Sequence, residues 1–166
     1  MGKESGMKRC MVMFFISGLL ISGFGFSRVL AAEGNPEAGA IAQEFSRKAM
    51  NEFRLADHPQ LDPVAIGDKI DEYAQKFAGI LLDAGVDPKI AGMIMQQASV
   101  WYGQSLEDLF NAKPYNSVIQ AYSDKIAGLF NQQHLTMDTQ SKIVDMTTDN
   151  LESFNDLFHP MEEIDD

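Results

Sequence analysis

Cysteine is nearly absent from this chain of 166 residues, since only Cys10 carries a thiol. Cys10 lies at the start of an N-terminal apolar run, so removal of that run would leave no cysteine at all. A chain without cysteine has no disulfide, thiolate zinc site, c-type haem attachment or cysteine nucleophile. In an oxidising compartment its fold must therefore depend on the packed core alone.

Basic residues are also scarce, with 13 Lys and Arg against 24 Asp and Glu, for a formal net charge of −11. Loss of the first 31 residues would leave 23 acidic against 9 basic residues, a net charge of −14, because that segment contains Glu4 and four basic residues (Lys3, Lys8, Arg9 and Arg28). Such a surface repels phosphate backbones and anionic headgroups, which argues against nucleic acid and membrane surfaces as partners. The simplest interpretation of this negative charge is that it keeps the protein soluble. The more specific alternative is that it binds a basic protein partner.

The N-terminus has the features of a secretory signal peptide. Lys3, Lys8 and Arg9 precede an uncharged run over 10–27, and small residues follow it. We predict a signal peptide over 1–31, cleaved after Ala31 or Ala32, and hence a periplasmic or secreted protein. The alternative is a retained anchor, because the run is just long enough to span a bilayer; a membrane contact is expected only in that case.

Strand patterns are missing as well, because no run of β-branched residues alternates with polar ones. Capped segments with a 3.6-residue period replace them. They run from Pro36 to about Leu55, from Pro63 to Gly85, from Pro88 to Gly103, from Ser117 to Phe130 and from Thr136 to Phe158, with a short helix over 106–111. We predict an all-α, single-domain bundle of about five helices over 32–159, followed by an acidic tail over 160–166.

A six-residue phrase of Lys, apolar, Ala, Gly, apolar, apolar occurs three times, over 76–81, 89–94 and 125–130. Its glycines are Gly79, Gly92 and Gly128, and each falls roughly opposite the apolar stripe of its helix. A glycine inside a helix costs about 0.5–1 kcal/mol relative to alanine, so close approach by a second helix should offset that cost. Either a neighbouring helix of the bundle covers these glycines, or some stay exposed to dock a partner helix or peptide. Glycines that touch nothing in open water would leave this cost unexplained and would count against a docking role.

Trp101 and Tyr102 form the most promising recognition feature. In the third helix we expect a core stripe of five residues: Ile90, Met93, Ile94, Ala98 and Trp101. Tyr102 then points about 100° away and is expected at the surface. The predicted partner-binding residues are thus Gly79, Gly92, Trp101, Tyr102 and Gly128.

Catalytic and metal-binding patterns are not found. His58, His134 and His159 form no His-x-x-x-His or His-Glu-x-x-His arrangement, so no metal or cofactor is expected. A peptidoglycan hydrolase needs a carboxylate of raised pKa in an apolar cleft, and Glu44 beside Phe45 is the best candidate. Several methionines could suggest haem or copper ligation, but methionine is a common core filler.

Residues 135–140 read Leu-Thr-Met-Asp-Thr-Gln and resemble the Leu-Thr-x-x-Gln signature of periplasmic stress chaperones. Thr139 stands at the Gln position, however, and Gln140 is one residue late. This single helical turn does not identify the chain as a member, but it keeps a periplasmic chaperone or stress-response protein as an alternative.

The sequence thus favours a non-enzymatic, exported, acidic helical module that binds another protein, as an accessory or adaptor of a cell-envelope or secretion assembly. The alternatives are the chaperone and the peptidoglycan-active hydrolase.

Overall fold

The computed structural model describes residues 36–160, and these residues form an all-α bundle without strands, as predicted. The helices are α1 (Pro36–Glu52), α2 (Pro63–Asp83), α3 (Pro88–Phe110), α4 (Tyr115–Gln132) and α5 (Met137–Phe158), with a 3-10 turn at Leu55–Asp57. The predicted signal peptide, its cleavage sites and all but the first residue of the acidic tail lie outside the described residues.

Side-chain caps start three of the helices where the sequence predicts them. The Asp62 carboxylate accepts from the backbone N–H of Val64 at 2.9 Å, and Asp87 accepts from that of Lys89 at 2.9 Å. The Thr136 hydroxyl accepts from the N–H of Thr139 at 3.3 Å. Each cap satisfies an amide that the first helical turn leaves without a partner, so these starts are fixed locally.

Left-handed residues end α2, α3 and α4. After α2, Gly85 has a φ of 78°, and the N–H of Val86 donates to the Leu81 carbonyl at 3.1 Å. Ala112 and His134 hold the same place after α3 and α4, with φ of 57° and 55°. The sequence signals only the first of these ends, because glycine favours this conformation and alanine and histidine do not.

Three predicted boundaries are wrong. The first helix ends at Glu52 and not near Leu55, where a separate 3-10 turn begins. Gly103 does not break α3, which runs without interruption to Phe110, so the short helix predicted over 106–111 is not a separate element and Ser105 does not precede a new helix. The Ser105 hydroxyl instead donates to the Trp101 carbonyl at 2.9 Å, within the helix. Likewise Ser117 lies inside α4, which begins two residues earlier at Tyr115 after Pro114 as N-cap.

The helices pack around one hydrophobic core. α1 lies against α2 and α3, and α5 lies against α2, α3 and α4; α2 and α3 also touch each other. Phe45 of α1 is buried against Tyr73 of α2 and Tyr102 of α3, with ring centroids 5.6 and 5.5 Å apart. Aromatic pairs at such distances add to the free energy gained by burial alone.

The backbones of α3 and α1 approach each other closely at Gly103. A β-carbon on Gly103 would lie 2.5 Å from the carbonyl oxygen of Ala49 and 2.6 Å from the Cβ of Glu52. Both distances are shorter than non-bonded contacts allow, so only glycine fits here without a shift of α1. Gly103 is therefore a packing residue, and the close contact between α1 and α3 offsets the cost of a glycine in a helix.

We expect Gly103→Ala to lower the free energy of unfolding by about 1–3 kcal/mol, the usual cost of overpacking a rigid contact. The matched control is Gly128→Ala on α4, where an added β-carbon meets nothing within 4 Å. That substitution should raise stability by up to about 1 kcal/mol through helix propensity. Urea unfolding of both variants tests the pair, and equal stabilisation of the two would contradict a close α1–α3 contact.

Candidate interaction site

An open groove lies between α2 and α5, and it contains one of the predicted docking glycines. Gly79 and Ile80 of α2 line one side, and Met146 of α5 lines the other. Ile80 and Met146 are half-buried and pack against the core. A β-carbon on Gly79 would meet nothing within 4 Å, so the backbone of α2 is accessible at this point. We call this feature the α2–α5 groove.

Polar contacts along the two helices set the position of the groove. The Lys69 ammonium donates to the Ser153 hydroxyl, and the Tyr73 hydroxyl lies 2.8 Å from that of Thr147. Residues later in α2 thus face residues earlier in α5, so the helices are antiparallel. Gly79 then lies about three turns of helix beyond Gly67 on α2, where the absence of a side chain leaves the groove open.

Charged side chains border the groove. Lys76 pairs with Glu72 at 2.7 Å, and Lys142 pairs with Asp138 at 2.7 Å. All four of these side chains are more than half exposed, so each pair contributes little to folding stability. The groove therefore has an apolar floor of glycine, isoleucine and methionine with a charged rim, which is the usual composition of a protein-docking patch.

The three predicted glycines do not share one surface. Gly92 is half-buried, and its nearest neighbour is Ile41 of α1, so it lies at the α1 side of α3. Gly128 on α4 is exposed and has no neighbour within 4 Å. Of the two alternatives for these glycines, coverage by a bundle helix is therefore wrong for Gly79 and Gly128. Only Gly79 lines the groove, and nothing within the described chain packs against the open side of either Gly79 or Gly128.

The expected roles of Trp101 and Tyr102 are reversed. Tyr102 is fully buried in the core, so it cannot meet a partner, whereas Trp101 is only half-buried. Two other residues assigned to the core stripe of α3 are exposed, Ile90 at 37% and Met93 at 58%. The buried face is rotated by about one residue from the predicted one, because α1 covers the side that carries Gly103.

Three buried tyrosines form a polar layer inside the bundle. The Tyr73 hydroxyl lies 3.2 Å from that of Tyr122 in addition to its contact with Thr147, and the Tyr102 hydroxyl donates to Asn150. The rings of Tyr73 and Tyr102 stack with centroids 4.6 Å apart. Burial raises the pKa of Tyr73 to about 12, although its hydrogen bonds to Thr147 and Tyr122 act to lower it. Burial also raises the pKa of Tyr102 and Tyr122 well above 10.

In an alkaline titration we expect these three phenols to stay protonated in the folded protein at pH values where free tyrosine ionises. Their folded-state pKa values exceed the unfolded value of 10.0, so the stabilisation is complete below pH 10. It is lost as the pH rises from there through the folded pKa of Tyr73, about 12. Phenolate absorbance and helical circular dichroism, recorded together, test this. Ionisation of all the tyrosines near pH 10 with the helices intact would refute the buried layer.

Glu44 does not occupy a catalytic cleft. Its carboxylate pairs with Arg47 at 2.7 Å, and its side chain is 46% exposed. The hydrogen bond from Arg47 lowers the pKa of Glu44. A hydrolytic acid requires the opposite shift, so the expectation of a raised pKa at Glu44 is wrong. Within residues 36–160, no group of three or more His, Asp or Glu side chains could hold a metal ion.

His58 and His159 both bond to the end of α3. His58 Nε2 lies 2.9 Å from Glu107 Oε2, with the imidazole 4.2 Å from the Phe110 ring, and His159 Nε2 lies 2.7 Å from the Leu109 carbonyl. Burial acts to raise the pKa of Glu107, but hydrogen bonds from His58 and Asn111 and the nearby positive charges outweigh it and lower the pKa. His58 therefore holds the connection between α1 and α2 against the end of α3, and His159 holds the end of α5 there.

We expect the His58–Glu107 contact to contribute to stability at neutral pH and to be lost in acid. The folded-state pKa of Glu107 lies below its usual value of 4.5, so the stabilisation is present above that pH and disappears as the pH falls through the folded value. Thermal unfolding of the parent and of Glu107→Gln between pH 7 and about pH 3 checks this. The variant should be less stable at pH 7, and the two should converge in acid; a constant difference would contradict the linkage.

The residues that sequence reasoning missed are Ile80, Met146 and the charged rim. Ile80 belongs to the first copy of the repeated phrase. All three copies have an apolar residue at this position, so the sequence alone assigns Ile80 to the core stripe. Residues 135–140 form the cap and first turn of α5, and Gln140 donates to the Leu135 carbonyl at 2.9 Å. The chaperone-like signature thus coincides with a helix start.

Comparison with family models, with curated proteins and with solved structures found no match to this chain. Among the described helices, none is long and apolar enough to cross a bilayer.

Proposed function

We propose that this protein is a non-enzymatic interaction module that binds another protein through the α2–α5 groove. The observation that carries the proposal is the accessible backbone at Gly79 beside the half-buried Ile80 and Met146. The N-terminal signal pattern supports a place outside the cytoplasm, as an accessory or adaptor of a cell-envelope or secretion assembly.

A partner helix would gain the most binding free energy at Gly79, where α2 has no side chain. Close approach at Gly79 brings two backbones together, and the partner can then cover the exposed parts of Ile80 and Met146. Burial of apolar surface contributes roughly 25 cal/mol per Å², and this gain must offset the translational and rotational freedom that is lost on association. Binding of this kind would offset the free-energy cost of a glycine at position 79 inside α2, which no contact in the described bundle offsets.

The alternatives have less support in the described residues. A chaperone needs a broad apolar surface, whereas the large exposed apolar side chains are distributed over the starts of α2, α3 and α5 and the end of α5, at Val64, Ile90, Met93, Met137 and Leu157. A hydrolase needs a carboxylate of raised pKa, and Glu44 is shifted in the opposite direction. We therefore retain the interaction module.

We expect Gly79→Leu to fill the groove and to abolish capture of the partner. The matched control is Gly128→Leu, because Gly128 is also an open glycine inside a helix but lies on α4 outside the groove. Both substitutions should raise helix stability by up to about 1 kcal/mol, so a difference between them reports on docking and not on folding.

The measurement is photo-crosslinking in the native host, with a crosslinking side chain at position 80 or, as control, at position 128. One discrete adduct from position 80 that is lost in Gly79→Leu supports the proposal. Equal adducts from both positions, or an adduct unaffected by Gly79→Leu, would contradict it.

A further inference from the structure

We infer that the segment bound in the α2–α5 groove is a basic amphipathic helix of another protein that lies along α5. This inference rests on the proposed function and adds the chemistry of the partner to it. The charges at the groove and their continuation along α5 carry it.

The groove has negative charges that the protein itself does not neutralise. Its two lysines, Lys76 and Lys142, are already paired with Glu72 and Asp138. Asp83 of α2 and Asp145 of α5 also line the groove, and both are exposed. Within the described chain neither forms an ion pair; Asp145 only accepts from the Ser141 hydroxyl at 3.3 Å. Two carboxylates on opposite sides of an apolar floor leave room for a cationic partner.

The same negative charge continues along α5. Asp145, Asp149, Glu152 and Asp156 are spaced by four, three and four residues, so they lie on one face of the helix. We call this face the acidic ridge. Its four carboxylates are exposed and have no ion-pair partner in the part of the chain that the structure describes. The ridge spans roughly 17 Å at the helical rise per residue, which is about three turns of a partner helix.

Asp145 belongs to both features, so the groove and the acidic ridge are continuous. A helix with apolar residues every three or four positions can place them over Gly79, Ile80 and Met146. Lys or Arg residues on its flank then face the acidic ridge at the same spacing. Residues 143–166 contain neither Lys nor Arg, so beyond Lys142 α5 has no basic residue of its own beside the ridge. Lys69 of α2 reaches α5 there, but it donates to the Ser153 hydroxyl and forms no ion pair with a ridge carboxylate.

Other occupants fit the charges less well. A second copy of this chain would bring a net charge of −11 toward the same acidic ridge, which opposes association. Phosphate backbones and anionic headgroups are repelled for the same reason. A basic helix is the partner class for which charge and shape agree.

Two synthetic peptides of about 20 residues test the inference, long enough to form helix in isolation. They share one Leu and Ala face, and they differ only in carrying Lys or Glu on the flank. Binding of each to the purified protein is measured by fluorescence anisotropy over a series of salt concentrations. The Lys peptide should bind at least about tenfold more tightly at low salt, and the difference should shrink as salt rises.

Three variants locate the binding. The double variant Asp145→Lys with Asp149→Lys should weaken the Lys peptide by about tenfold or more. Glu52→Lys is the control, because Glu52 is an exposed acid on α1, which packs against α2 and α3; it should leave binding within about twofold once screening is considered. Ile80→Glu should weaken both peptides through the apolar floor.

Equal affinity of the two peptides, with both lost in Ile80→Glu, would overturn the inference and leave the proposed function standing. The inference would also be overturned if the Lys peptide bound Ile80→Glu and the ridge double variant as tightly as it binds the parent protein. Binding would then reflect general attraction to an acidic protein. Self-association that is abolished by Gly79→Leu would overturn it in favour of a second copy of the chain.

Discussion

The contact between α1 and α3 at Gly103 sets the geometry on which the rest of the bundle depends. Because a β-carbon at Gly103 would lie 2.5 Å from the Ala49 carbonyl oxygen, the two backbones pack closer than side chains normally allow. This distance lets Phe45 pack against both Tyr73 and Tyr102, whose rings stack on each other, and so complete the aromatic core. A wider separation would leave a cavity there, and cavities in packed interiors are destabilising.

The buried tyrosine layer determines how α5 lies on that core. Tyr73 and Tyr102 bond to Thr147 and Asn150 of α5, so a shift of α5 along the bundle would leave buried hydroxyl groups without partners. Polar contacts of this kind fix register more sharply than apolar packing, which tolerates sliding. The α2–α5 groove is a consequence of this register. Beyond Tyr73 the next residues that face α5 include Gly79, and its missing side chain leaves the backbone of α2 open.

The errors in the sequence-based description of α3 have a common cause. Apolar or small residues occur on more than half of its circumference, so Ile90, Met93 and Trp101 form an apolar stripe as acceptable as the buried one. The buried stripe is the neighbouring one, which includes Ala91, Met95 and Tyr102. The periodicity of apolar residues predicts that this segment is a helix. It does not predict which side α1 covers, because the helix is apolar on several sides.

The sequence by itself determined the helical class, the caps at Asp62, Asp87 and Thr136 and the left-handed end at Gly85, because each depends on residues within one turn. The tertiary structure alone decided which glycine is covered and which is open. Gly79, Gly103 and Gly128 are all glycines inside helices, so the residue type does not distinguish them. Their surroundings depend on helices that are distant in sequence. Gly103 makes a tight packing contact, Gly79 is part of the α2–α5 groove, and Gly128 is an exposed position without contacts.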